Sequence, residues 1–147
     1  MRVTEIQSNL LAILRDIPLF ATVKPLLFVD DGLKNEEMEA ALNTEGFCVL
    51  IMQPQGLDIA DKGRGAVVVD YVCDLLVRTN PKVKTDAGPK WNPLACESEI
   101  MTAVMQWSKA RSDFGFKSPP GEAPMYLAID AGNNSRLIPL MTAVHYH

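Results

Sequence analysis

The sequence predicts an α+β fold with a mostly antiparallel, strongly twisted sheet and two to three flanking helices. The main observation is residues 65–79, GAVVVDYVCDLLVRT, in which every odd-numbered position from 67 to 77 is apolar. A period of two over this length indicates a strand with one face on a core and the other partly exposed. The segment would span roughly 50 Å, more than the ~40 Å diameter expected for a domain of this size. The strand must therefore bend, twist strongly or project beyond its own domain.

Composition limits the class of protein. The chain has 147 residues, of which 48% are hydrophobic, and we expect a single domain over residues 1–147. Its net charge is −4 and its basic residues are spread along the chain, which argues against nucleic acid as the main partner. The three cysteines have no metal-binding spacing, so we expect buried thiols. The sequence shows no signal peptide and no membrane-spanning segment, so we expect no membrane partner.

Two helices are predicted before the long strand. Thr4 and Gln7 form a capping-box pattern that opens the first helix, apolar residues follow at helical spacing, and Pro18 ends it. The second helix is rich in Glu and Ala and is predicted over residues 35–44, with Gly46 as its C-terminal stop.

Two shorter strands are predicted around the second helix. A short apolar run at residues 26–29, followed by a turn at residues 30–32, indicates a short strand. Residues 47–53, FCVLIMQ, are apolar on both faces and indicate a central strand.

Two connections flank the long strand, and both are predicted to be exposed loops. The first, residues 54–64, has glycines and charges of both signs, at Asp58, Asp61, Lys62 and Arg64. The second, residues 80–93, has prolines and no periodicity, and it carries Lys82, Lys84 and Lys90. These charged residues are candidate docking positions.

The C-terminal part begins with a third helix. Asn92 is a typical cap residue and Pro93 a typical first helical residue, so we expect a helix that ends near residue 110. Its buried positions are predicted to be Leu94, Ile100, Val104 and Trp107.

A closing hairpin follows the third helix. Strands are predicted over residues 125–130 and 136–146, joined by a turn rich in Gly and Asn. Pro139 has no N–H to donate, so the last strand is expected to be an edge strand or bulged there.

The sequence contains no recognisable catalytic, metal-binding or cofactor-binding motif, so we expect neither an enzyme nor a cofactor. Asp70 and Asp74 share the even-numbered face of the long strand about 13 Å apart, too far for a carboxylate pair in acid–base catalysis. One interpretation is a solvated face with Arg78 as the charge partner. The other is a face that meets another subunit or lines a shared channel, which makes Asp70, Asp74 and Arg78 candidate interface or lumen residues.

Taken together, these segments resemble the tail terminator, or tail completion, proteins of tailed bacteriophages and prophages. The likeness covers nearly the full length and does not rest on one motif. The segment 54–64 departs from the family pattern, because it is hydrophilic with charges of both signs and has no family role that can be assigned to it. The matching features are the helix ending near Pro18, the acidic second helix, the strand pair 47–53 and 66–78, the loop 80–93, the helix 93–110 and the closing hairpin 125–146.

The resemblance implies a tail-terminator-like fold and a structural role in virion assembly. Such proteins form a ring, typically a homohexamer, on the head-proximal end of the tail tube, where they end tube polymerisation and prepare head–tail joining. The implied partners are further copies of the chain, the tail tube protein and a head–tail connector protein, with DNA passing through the lumen without specific binding. The implied location is the tail of the virion, after assembly in the host cytoplasm.

Two other functions stay open on the sequence alone. A different head–tail connector component, such as a stopper, adaptor or neck protein, shares the same chemistry but docks through another surface. A small-molecule-binding α+β domain requires a deep pocket with convergent polar groups.

Overall fold

In the computed structural model the chain adopts the predicted α+β fold. The structure describes residues 1–22, 26–27, 35–61, 65, 67–111, 115–127 and 132–146. Within these ranges the α-helices are α1 (Ile6–Arg15), α2 (Asn35–Thr44) and α3 (Pro93–Lys109). The strands are β1 (Leu26–Leu27), β2 (Phe47–Ile51), β3 (Gln55–Asp61), β4 (Val67–Thr79), β5 (Lys84–Thr85), β6 (Gly88–Pro89), β7 (Met125–Leu127) and β8 (Asn134–Tyr146).

β4 is the central strand of the main sheet. The order is β1-β2-β4-β8-β7, and β3 also pairs with β4, beyond the end of β2. β1 lies parallel to β2, and the other pairings are antiparallel. β4 pairs with β8 along its whole length, from Val67 opposite Tyr146 to Thr79 opposite Asn134. The long strand predicted at residues 65–79 is therefore confirmed, with bounds at Val67 and Thr79.

The helices cover both faces of this sheet. α1 and α3 pack on the face that carries the odd-numbered residues of β4, where Cys73, Leu75 and Val77 join the larger hydrophobic cluster. α2 packs on the opposite face through Met38 and Leu42, which contact buried residues of β2. No helix in the described ranges is both long enough and apolar enough to cross a membrane.

The three cysteines are free and buried, as predicted. Burial raises the pKa of Cys48 to about 11, and it raises the pKa of Cys73 and of Cys96 to about 12. The Cys73 thiol also donates to the carbonyl of Met52, with 3.0 Å between sulfur and oxygen. Because the thiolate is the reactive form, burial disfavours reaction at these thiols, and the three side chains pack as small apolar groups.

The first helix is present, but the predicted capping box is wrong. A 3-10 turn, Val3–Glu5, precedes α1. The Glu5 carboxylate accepts a 2.9 Å hydrogen bond from the backbone N–H of Arg2, three residues earlier. Glu5 thus accepts from a backbone N–H group that has no partner within the helix. The pattern of Thr4 and Gln7 predicts this role for Gln7 instead.

α3 begins as predicted. The Asn92 side-chain oxygen accepts from two backbone N–H groups of the first turn, at 3.0 and 3.2 Å. The predicted buried set is wrong at Leu94, which is 58% exposed, and Trp107 is only half-buried. Residues four apart follow one stripe of a helix, and Leu94 lies off the stripe that α3 buries. That stripe is Cys96, Ile100, Val104 and Ser108.

The segment 54–64 is not the loop that the sequence predicts. Gln55–Asp61 forms β3, which pairs antiparallel with residues 67–72 of β4. The register shifts between Gly56 and Asp58, so β3 contains a bulge. Glycine and a high charge content are typical of loops, but here they occur in a short strand.

The closing strands are confirmed as β7 and β8, although β8 begins at Asn134, and residues 128–131 lie outside the described ranges. β8 is not an edge strand, because it lies between β4 and β7. The Met141 N–H donates to the Lys117 carbonyl at 2.7 Å, on the side away from β4. N–H groups two residues apart point to the same side of a strand, so Pro139 removes no hydrogen bond to β4.

Candidate assembly surface

The outer half of β4 forms the centre of a three-stranded ribbon. We define the ribbon as residues 67–72 of β4, with β3 on one side and residues 141–146 of β8 on the other. All positions of β4 in the ribbon are half-buried, whereas Cys73, Leu75 and Val77 farther along are buried. The odd-numbered face is therefore core only in the inner half of the strand. At Val67 and Val69 the prediction of a buried face is wrong, because neither residue joins a buried cluster.

The ribbon presents apolar side chains to solvent. Leu57, at the bulge of β3, is 60% exposed, and Tyr146 is 40% exposed. Val68 and Val72 are half-buried on the even-numbered face of β4. In the described part of the chain β3 pairs only with β4, so its other edge has open backbone groups. An open edge beside apolar side chains is the kind of surface that pairs with another chain.

Asp70 and Asp74 lie on the even-numbered face as predicted, and both are half-buried. Asp74 lines a hollow of about 240 Å³ together with Met52, Gln53, Gln55 and Val72. Burial, followed by the negative charge of Glu122, raises the pKa of Asp74 above its ordinary value. The even-numbered face of β4 therefore has a negative, partly enclosed surface next to the ribbon.

Arg78 does not share that open face. It is only 7% exposed and lies under α2, where its guanidinium is 3.6 Å from the carboxylate of Glu39. Leu76 and the buried residues of α2 close the even-numbered face at this end of β4. The prediction of Arg78 as an interface or lumen residue is therefore wrong, because α2 covers this part of the face. The sequence of β4 alone does not indicate where α2 packs.

The candidate docking residues of segment 54–64 divide into two groups. Asp58 and Asp61 belong to β3, where they are the register partners of Asp70 and Val67. They therefore lie on a sheet strand and not on a docking loop. Lys62 and Arg64 lie outside the described residues.

The segment 80–93 is exposed over most of its length, but it contains a small hairpin. β5 pairs with β6, with Lys84 opposite Pro89. Lys82 and Lys84 are exposed, and the Lys90 ammonium lies 3.5 Å from the Glu45 carboxylate. Trp91 anchors the end of the segment, because it packs on Phe47 and its ring N–H donates to the Glu45 carbonyl at 2.7 Å.

A groove of about 410 Å³ runs between the C-terminal part of α1 and the middle of α3. Its lining includes two exposed carboxylates, Asp16 and Glu99, and the half-buried ring of Trp107. The sequence does not mark these residues as a site. Asp16 and Glu99 are far apart in the chain, and only the packing of α1 on α3 brings them to one groove, so no local pattern marks them.

The surfaces described above have features that suit protein contacts. In the part of the chain that the structure describes, no three His, Cys, Asp or Glu side chains are grouped so that they could hold a metal ion. The ribbon offers apolar area and an open strand edge, and the hairpin and the groove offer charges of opposite sign. No protein-family model matches this chain, and no curated protein matches it.

Proposed function

We propose that this chain is a structural protein of a phage or prophage tail, a tail terminator. It assembles as a ring, a homohexamer, that caps the head-proximal end of the tail tube, ends tube polymerisation and prepares head–tail joining. The observation that carries the proposal is the ribbon, in which one half of the central strand has both faces half-buried and lies beside an open edge.

A closed ring needs two different surfaces on each copy that fit one another head to tail. The ribbon suits one of these two surfaces. Leu57 and Tyr146 remain exposed in the single chain, and an association that covers them gains hydrophobic free energy. The strands of the ribbon are already paired in the single chain, so little conformational entropy is lost when the ribbon is covered.

The negative residues of the even-numbered face suit the lumen of such a ring. Asp70 and Asp74 are candidate lumen residues, and the net charge of the chain is −4. Negative charge repels phosphate groups, so DNA passes through the lumen without specific binding. The partners in this proposal are further copies of the chain, the tail tube protein and the head–tail connector protein, and the location is the head-proximal end of the virion tail.

Electron microscopy of particles made without this protein tests the proposal. A terminator is expected to be needed for tail length, so its loss gives overlong tails. Tails of normal length without heads would instead identify a connector component, and normal particles would exclude both functions.

Two complementing variants connect this phenotype to the ribbon. Leu57→Asp places a charge on the ribbon, and Leu94→Asp places the same charge on α3, at positions that are 60% and 58% exposed. We expect Leu57→Asp to leave tails overlong and Leu94→Asp to restore normal length. If both variants restore tail length equally, the ribbon is not the contact between copies.

A further inference from the structure

The hairpin at residues 81–90 is attached near the end of α2 by close contacts. The Lys90 N–H donates to the Val83 carbonyl at 2.9 Å, and the Asn80 side chain donates to the Leu42 carbonyl at 3.1 Å. Val83 packs so closely on Gly46 that a Cβ added there would lie 2.7 Å from the Cβ of Val83. The base of the hairpin is thus fixed to the end of α2 before any partner binds.

The first arm of this hairpin carries positive charge at Lys82 and Lys84, whereas its turn carries the exposed carboxylate of Asp86. Lys82 and Lys84 are exposed and make no ion pair within the described ranges. Lys90 differs, because its ammonium already lies 3.5 Å from Glu45. Lys82 and Lys84 are therefore the two cations of the hairpin that are available to a partner.

The groove between α1 and α3 has the opposite charge. Asp16 and Glu99 line it. Among the described residues, no basic side chain lines the groove and none forms an ion pair with either carboxylate. Asp16 is also the C-terminal cap of α1, at the negative end of the helix dipole. Apolar walls, including Ile13 and Trp107, suit the methylene stems of lysine side chains.

We propose that the hairpin of one copy docks in the groove of the next copy, with Lys82 and Lys84 facing Asp16 and Glu99. This inference rests on the proposed ring and names a contact within it. Hairpin and groove are different surfaces of the same chain with complementary, unpaired charges, which is what a head-to-tail contact requires. Partly exposed charge pairs mainly fix orientation and exclude wrong partners, so this contact sets the orientation of neighbouring copies while the ribbon supplies apolar area.

Charge reversal tests the contact through native mass spectrometry of two variants. The hairpin variant is Lys82→Glu/Lys84→Glu, and the groove variant is Asp16→Lys/Glu99→Lys. Each variant alone brings like charges together at every contact, so we expect association at least about tenfold weaker than in the wild type. In an equimolar mixture every contact between unlike copies is complementary again. The mixture should therefore recover wild-type association, in assemblies with equal numbers of the two variants.

A matched control is Lys109→Glu/Lys117→Glu, which makes the same change in net charge at two exposed lysines outside the hairpin and the groove lining. It should assemble as the wild type does. The inference is overturned if either charge-reversal variant assembles normally alone, or if the mixture does not recover. If the inference is overturned in this way but the wild type still assembles, the proposed ring is unaffected. If the wild type stays monomeric even with tail tube protein, the proposed ring and the hairpin contact are both overturned.

Discussion

The hydroxyl groups of Tyr71 and Tyr146 lie 2.8 Å apart and share one hydrogen bond. Tyr71 lies in the ribbon half of β4, and Tyr146 is the last residue of β8. The hydrogen bond therefore joins two strands of the ribbon near its outer end. It also raises the pKa of Tyr146 above the ordinary value of 10.0.

A first prediction concerns this tyrosine pair. A raised pKa means that the folded state favours the neutral hydroxyl, so the stabilising effect is present below about pH 10 and is lost as the pH rises through the raised pKa. We expect Tyr71→Phe to lower the pKa of Tyr146, measured by spectrophotometric titration. Tyr126→Phe, which removes the hydroxyl of an exposed tyrosine on β7, should leave it unchanged. A pKa of Tyr146 that does not respond to Tyr71→Phe would contradict the hydrogen bond.

A second prediction separates Arg78 from Asp70. Arg78→Ala removes a buried side chain and its contact with Glu39 under α2. It should lower the free energy of unfolding by about 2 kcal/mol. Asp70→Ala changes a half-buried residue of the ribbon and should stay within about 0.5 kcal/mol. Urea unfolding measures both, and equal losses would show that the two residues share one environment after all.

A third prediction concerns pH and Asp74. Burial and the charge of Glu122 raise its pKa, so the folded state favours the protonated carboxyl. The contribution of Asp74 to stability is therefore present below the ordinary pKa of 3.8 and is lost as the pH rises through the raised value. Asp74→Asn should increase the free energy of unfolding at neutral pH and have no effect in acid.

The control for Asp74 is Asp70→Asn, the same change on the same face of β4. It should keep the pH dependence that Asp74 causes, as measured by urea unfolding across the acidic range. A loss of stability at neutral pH in Asp74→Asn would mean that the carboxylate makes a favourable contact instead.

A fourth prediction concerns a close approach beneath the sheet. The Ser108 hydroxyl accepts a 2.7 Å hydrogen bond from the Phe116 N–H, and a Cβ added at Gly115 would lie 2.5 Å from the Cβ of Ser108. Gly115→Ala should lower the free energy of unfolding by about 2 kcal/mol, because backbone must move to relieve the overlap. Gly56→Ala is the control, since its added Cβ would have its nearest contact at 3.5 Å. Similar melting temperatures for the two variants would contradict this packing.

The sequence predicts the parts of the fold that depend on local periodicity and end signals. The alternation around Tyr71 and Leu75 identifies β4, and Asn92 marks the start of α3. β3 was missed because Gly56 and the nearby charges resemble a loop, although Leu57 and Ile59 alternate with polar residues as a strand requires.

The surfaces depend on tertiary packing and were predicted less well. Asp70 and Asp74 lie on the predicted face, because alternation along a strand fixes which face a residue occupies. Whether that face is open depends on α2, and α2 covers Arg78. The groove with Asp16 forms only when α1 and α3 pack together. No local sequence pattern predicts which helices pack together.

In the proposed assembly, copies of this chain close into a ring on a tail tube. Native mass spectrometry of the wild-type protein, alone and with its tail tube protein, tests it most directly. We expect one closed species of six copies of the 16.2 kDa chain, which the ribbon variant Leu57→Asp fails to form. A 16.2 kDa monomer at every concentration, with and without the tube protein, would contradict it.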